Sequence, residues 1–99
     1  MKSFDFLEKN RYFDHSYLNE SAELYMVYFS FHDEKYTYII QVDIPLTMKR
    51  KLVYETRIKY TINRVDVEIP HEIKNDITTI EQIVEKRDRV RKLFKEKTS

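Results

Sequence analysis

The sequence predicts an α+β domain: a four-stranded antiparallel β-meander made of two hairpins, with a C-terminal helix packed on one face and a short N-terminal helix or segment beside it. Three observations carry this expectation. Apolar and polar residues alternate with a period of two from Glu23 to Ile69, as half-buried strands require. After Pro70 the spacing changes to three and four, the period of one helix face. The 99 residues hold 41% apolar and 35% charged side chains, enough for one core under a heavily ionic surface and too few residues for two domains. The whole chain, 1–99, is therefore read as a single domain.

The first hairpin joins Leu24–Phe31 to Tyr36–Ile44 through His32-Asp33-Glu34-Lys35. Setting Phe31 opposite Tyr36 brings Phe29 to Tyr38, Val27 to Ile40 and Tyr25 to Val42. Eight apolar side chains then share one face, and a one-residue slip would scatter them. A four-residue loop on a type I turn accommodates this connection without glycine. In the second hairpin, Leu52, Tyr54, Ile58, Tyr60 and Ile62 share one parity, and Val65, Val67 and Ile69 the other. The switch falls at Asn63-Arg64, where asparagine tolerates positive φ. Pro45 and Pro70 close the second and fourth strands, because proline lacks the N–H that pairing needs.

The helix is expected from about Thr78, where Thr78 and Glu81 form a capping box, to about Glu96. Its stripe is Ile80, Ile83, Arg87, Val90 and Phe94, widened by Val84 and Leu93. At 1.5 Å per residue it is roughly 30 Å long, matching a nine-residue strand along which it can lie. In that arrangement it starts near Lys49-Arg50-Lys51 and ends near the hairpin turns, which keeps the two basic regions apart. At the other terminus, Phe4, Leu7 and Arg11 suggest a short helix capped by Ser3, followed by an irregular Tyr12–Ser21. The apolar residues of this segment are too numerous for a disordered tail.

The net charge of +1 conceals segregation. Residues 1–46 carry four bases and eight acids, 47–64 six bases and one acid, 65–85 one base and six acids, and 86–99 seven bases and two acids. Such blocks give a polarised surface suited to steering. The two hairpins also differ on the face away from the apolar register. The second is ionic, whereas the first offers Leu24, Met26, Tyr28 and Ile39 beside Ser30, Thr37 and Gln41. The N-terminal aromatic segment is the simplest cover for that patch. The functional alternative makes Met26, Tyr28, Ile39 and Gln41 a partner-binding surface, since tyrosine and methionine are enriched at interfaces.

Chemistry is sparse. The chain has no glycine and no cysteine, which excludes glycine-rich phosphate loops, glycine-flanked nucleophile elbows and thiolate chemistry. His15, His32 and His71 share no metal-ligand spacing, and no cofactor or metal is expected. A metal-dependent nuclease would need carboxylates such as Asp43 with Glu55, or Asp66 and Glu68 with Lys59, but cross-strand ion pairing explains those residues as a wet sheet face. The opening MKSFDFLEKN carries acids and no apolar run, so it is not read as a signal peptide. No stretch is long and apolar enough for a transmembrane helix, and the absence of cysteine fits a reducing cytoplasm.

The expected function is that of a non-enzymatic, protein-binding module: a stoichiometric inhibitor or regulator, of the kind phages and mobile elements encode against host defence. Its target would be a protein, for instance a nucleic-acid-processing enzyme whose basic channel the acidic block 65–85 could occupy. The alternative is nucleic-acid binding by Lys49, Arg50, Lys51, Arg87, Arg89, Arg91, Lys92 and Lys95, which supply phosphate contacts. In outline the helix–sheet–helix order resembles a double-stranded RNA-binding domain. The resemblance is topological only, because the basic cluster here lies in the second half of the last helix and the usual glycines are missing. Self-association is a further expectation, since Arg87 within the helix stripe would suit a wet seam between two copies.

Overall fold

The computed structural model describes residues 2–47, 53–58, 61–64 and 68–98. A 3-10 helix, Lys2–Lys9, leads into β1 (Phe13–Asn19), β2 (Leu24–His32) and β3 (Thr37–Pro45), and the chain ends in α1 (His71–Thr98). The fold is α+β, with an antiparallel three-stranded sheet and a C-terminal helix. Two shorter extended segments, β4 (Val53–Ile58) and β5 (Thr61–Arg64), continue the order β1-β2-β3-β4-β5.

The β2–β3 hairpin forms as its alternation demands, but with a shifted register. Phe31 faces Tyr38, Phe29 faces Ile40, Val27 faces Val42 and Tyr25 faces Ile44, each partner lying two residues beyond the expected one. The cause is Asp33. Its backbone N–H donates to the Tyr36 carbonyl at 3.1 Å. Its carboxylate accepts from the Lys35 and Tyr36 N–H groups, both at 2.8 Å, and from the Tyr38 hydroxyl at 2.7 Å. The loop is thus Asp33–Tyr36, one position later than expected. A shift of two residues preserves parity, so the same side chains share the same face.

β1 replaces the expected irregular stretch. It pairs with β2 from Phe13↔Phe29 to Asn19↔Leu24, with a register shift between Phe13 and His15. That bulge inverts the parity partway along an edge strand exposed on both faces, so no clean alternation marks it. Glu23 closes the β1–β2 turn at φ 57°, a left-handed position that a chain without glycine must fill with a side-chain-bearing residue.

The second hairpin is corrected in two respects. β4 pairs with β3 out to Tyr38↔Ile58, and β5 then pairs with β4 at Ile58↔Thr61. Asn63 and Arg64 therefore lie within β5 and do not form the expected turn; residues 59–60 lie outside the described residues. The expected strand over Val65–Ile69 is not supported: residues 65–67 lie outside the described residues, and Glu68–Pro70 carry no strand.

α1 starts at His71, seven residues before the expected cap. The Pro70 carbonyl accepts from Ile73 N–H at 3.0 Å and Lys74 N–H at 3.2 Å, which makes Pro70 the capping position. The Thr78 and Thr79 hydroxyls instead donate back to the Lys74 and Asn75 carbonyls, the usual mid-helix behaviour of threonine. The buried stripe is Ile73, Ile77, Ile80 and Val84. It packs with Phe4, Leu7, Tyr25, Val27, Phe29, Ile40, Val42 and Ile44 in one cluster. Val90 and Leu93, expected in that stripe, are 59% and 58% exposed.

The direction of α1 is also reversed from expectation. At its start, Asn10 Nδ2 donates to the Glu72 carbonyl and to the Asp76 carboxylate, and Arg11 pairs with Glu72 at 3.1 Å. Tyr12 lies beside Ser30 near the Asp33 turn, so α1 begins at the turn end. Four turns later, Arg87 Nη1 donates to the Pro45 carbonyl at 2.8 Å at the opposite end of the sheet. At 1.5 Å per residue the 28-residue helix is roughly 42 Å long, longer than any strand, and its last turns run past the sheet. The long dimension of 56 Å reflects this overhang. The Arg87–Pro45 contact also gives Arg87 a partner within the chain, so it need not mark a seam between copies.

Ile80→Ala should cost about 2–5 kcal/mol, because the fully buried site cannot collapse completely. Leu93→Ala should stay within about 0.5 kcal/mol. Urea denaturation of the two variants checks both the stripe and the overhang.

Candidate functional site

The core lies on one side of the sheet, and the 3-10 helix packs there as well. Phe4 and Leu7 are buried, and the Phe4 ring stacks on Tyr25 at 6.1 Å. The 3-10 helix therefore does not cover the second face, contrary to the simplest expectation, and only the β1 part of the N-terminal segment reaches it. Phe4 and Leu7, with Phe6, Tyr12 and Phe13 against them, follow the larger greasy surface, the one already lined by the α1 stripe.

The second face is organised by register. His15, Tyr17 and Asn19 of β1 stand opposite Tyr28, Met26 and Leu24 of β2, which in turn stand opposite Gln41, Asp43 and Pro45 of β3. Ile39 faces Ser30. The expected partner-binding residues Met26, Tyr28, Ile39 and Gln41 are thus neighbours on one surface. Met26 is buried, and the other three are half-buried. Glu55 and Arg57 occupy the β4 positions opposite Gln41 and Ile39.

Sequence reasoning missed the contribution of β1. The His15 ring stacks on Tyr28 at 4.3 Å and 9°, and Tyr17 stacks on the same ring at 6.0 Å and 12°. The Tyr17 and Tyr28 hydroxyls approach to 3.5 Å. Tyr17 is 45% exposed. Asn19 Nδ2 closes the far end of the face against Met26 Sδ at 3.8 Å. The available signal was the aromatic residue at 17 two positions after a histidine, which a bulged edge strand brings to one side.

Two carboxylates border this surface. Asp14 lies 2.7 Å from His15 Nδ1, and Asp43 accepts from Gln41 Nε2 at 2.9 Å. Among the described side chains of the face there is no lysine or arginine. No described element lies over it.

The expected basic patch is divided. Lys49, Arg50 and Lys51 lie outside the described residues, and Arg91 and Lys95 are placed only as backbone positions of α1. Lys86, Arg89 and Lys92 are exposed on the helix, with Arg89 paired to Glu85 one turn back. Arg87 is tied to Pro45 and Asp88 and is not part of an open basic surface. With α1 reversed, its basic half heads toward the Pro45 end of the sheet, so the expected separation from the 49–51 stretch loses its geometric basis. Of the carboxylates weighed for metal-assisted hydrolysis, Asp66 lies outside the described residues and Glu68 is exposed. No cluster of three or more His, Asp or Glu suited to a metal is found among the described residues. No helix there is long and apolar enough to cross a membrane.

Comparison with protein-family models, curated proteins and solved structures finds no match.

The turn at one end of the face is held by Asp33. The Tyr36 N–H, the Tyr38 hydroxyl and the Lys35 N–H all donate to its carboxylate and hold its pKa below the ordinary aspartate range. A depressed folded pKa stabilises the native state above the unfolded value of about 3.9 and is lost as pH falls through the folded value. The stability gap between the wild type and Asp33→Asn should therefore be full at neutral pH and close below about pH 4. Thermal melts of both proteins across that range measure it.

Proposed function

We propose that this protein is a non-enzymatic binding module that docks a partner protein on the second face of its sheet and acts as a stoichiometric inhibitor or regulator. The observation that carries this reading is the gathering of Met26, Tyr28, Ile39 and Gln41 with the His15–Tyr28–Tyr17 stack on a surface that no described element covers. Rigid aromatic rings give contact area at low entropic cost and are favoured at interface hot spots. The border charges support a protein occupant over a nucleic acid. Asp14 and Asp43 would repel phosphates, and a stacking platform for single strands needs a positive groove. A partner with an apolar centre and flanking basic groups fits both features.

A second reading rests on α1. Its second half carries exposed Lys86, Arg89 and Lys92, and a basic helix that extends past its own sheet can lie against phosphates.

The two readings separate in one set of measurements. A protein partner captured by the wild type and purified should bind one-to-one. Tyr28→Ala with Ile39→Ala should weaken it by about thirtyfold or more, as loss of a hot spot does. Lys86→Gln with Arg89→Gln and Lys92→Gln should leave that affinity within a few fold. Unchanged binding by the face variant overturns the docking reading. A mobility shift of nucleic acid near physiological salt, abolished by the helix variant, would replace it with the second.

A further inference from the structure

At the turn end, β2 runs on to His32 while β1 begins only at Phe13, opposite Phe29. Beyond that pair the neighbour of β2 is the Arg11-Tyr12 corner, held by the Ser30 N–H donating to the Tyr12 carbonyl at 2.8 Å. The mismatch leaves a notch in the sheet edge of about 400 Å³, lined by Arg11, Tyr12, Ser30, Phe31, His32 and Thr37. That volume falls within the range of small-molecule sites.

The lining is rich in donors and holds no carboxylate. Arg11 is positioned from two sides. Its Nε pairs with Glu72 of the first turn of α1 at 3.1 Å, and its guanidinium lies 4.6 Å over the Tyr12 ring while donating to the Tyr12 hydroxyl. A guanidinium carries five N–H groups, so these contacts leave donors to spare. Ser30 and Thr37 add hydroxyls, His32 an imidazole, and Tyr12 and Phe31 aromatic surface. The nearest acid in sequence, Asp33, spends its carboxylate inside its own turn.

We propose that this notch binds a small planar anion, a ring carrying a carboxylate or a phosphate, with the acidic group on Arg11 and the ring against Tyr12 and Phe31. Arginine suits both anions because its fork matches two oxygens at once. The notch adjoins the Met26–Tyr28–Ile39 surface, since Ser30 stands opposite Ile39, but it is built on Arg11 and not on that surface.

The test is a titration of the full chain followed by amide resonances, with benzoate as the carboxylate probe and adenosine monophosphate as the phosphate probe. At least one should give saturable shifts confined to residues 11, 12, 30–32 and 37. Benzyl alcohol and adenosine, which lack the anionic group, should bind at least about tenfold more weakly. Arg11→Gln should weaken binding by about tenfold or more. Because Arg11 is 69% exposed and Asn10 still holds the start of α1 through Glu72 and Asp76, the variant should keep its fold. Thr37→Val, which removes only the hydroxyl, should weaken binding about threefold or more, and Lys35→Gln should have no effect. Which probe binds assigns the carboxylate or the phosphate. The proposal is overturned if neither probe saturates by about 10 mM, if Arg11→Gln binds as the wild type does, or if the shifts gather on α1 instead.

Discussion

Everything in this fold depends on sealing one side of the β2–β3 ribbon. Val27, Phe29, Ile40, Val42 and Ile44 make that side wholly apolar, and a sheet face of this kind cannot stay in water. The Ile73–Ile77–Ile80–Val84 stripe of α1 covers it, with Phe4 and Leu7 filling the flank. Once both covering elements are drawn to the same side, nothing described remains for the other. The second face, with its aromatic stack, is left without a described covering element by the way the core is closed.

Polar contacts then decide how the cover lies. Hydrophobic burial is non-directional, so an isoleucine stripe could run either way along the sheet. Asn10 and Arg11 engage Glu72 and Asp76 at one end, and Arg87 engages the Pro45 carbonyl at the other. These clamps orient α1 from the turn end toward the Pro45 end. They also set the overhang, because the sheet stops at Pro45 and the helix does not. The same corner that clamps the helix places Arg11 in the edge notch, so one cluster of contacts serves both the fold and the proposed ligand site.

Particular residues show where the sequence was legible. The alternation in 24–44 identified a hairpin and the faces of its strands, because parity survives a two-residue shift; the register itself waited on the Asp33 carboxylate. β1 was illegible because a bulge breaks its period and an edge strand needs no apolar face. The helix start was misplaced because Thr78-x-x-Glu81 matches a cap as a string, while Ile73 and Ile77 had burial to gain only if the helix began at Pro70. Met26, Tyr28, Ile39 and Gln41 were legible as a set, since one strand parity unites them. His15 and Tyr17 were not, since only pairing with β2 brings them to that set. The edge notch was invisible for the same reason: Arg11 and Thr37 become neighbours only through the sheet.

The amino-acid sequence alone therefore determined the class of fold, the composition of each face of the central hairpin and the presence of a long charged helix. All of these follow from local period and burial preference, which are properties of consecutive residues. Tertiary structure decided which face is covered, which way the helix points and which distant side chains meet. Those outcomes depend on competition between surfaces for the same cover, and on a few hydrogen bonds between residues 42 to 66 positions apart, which no local pattern encodes.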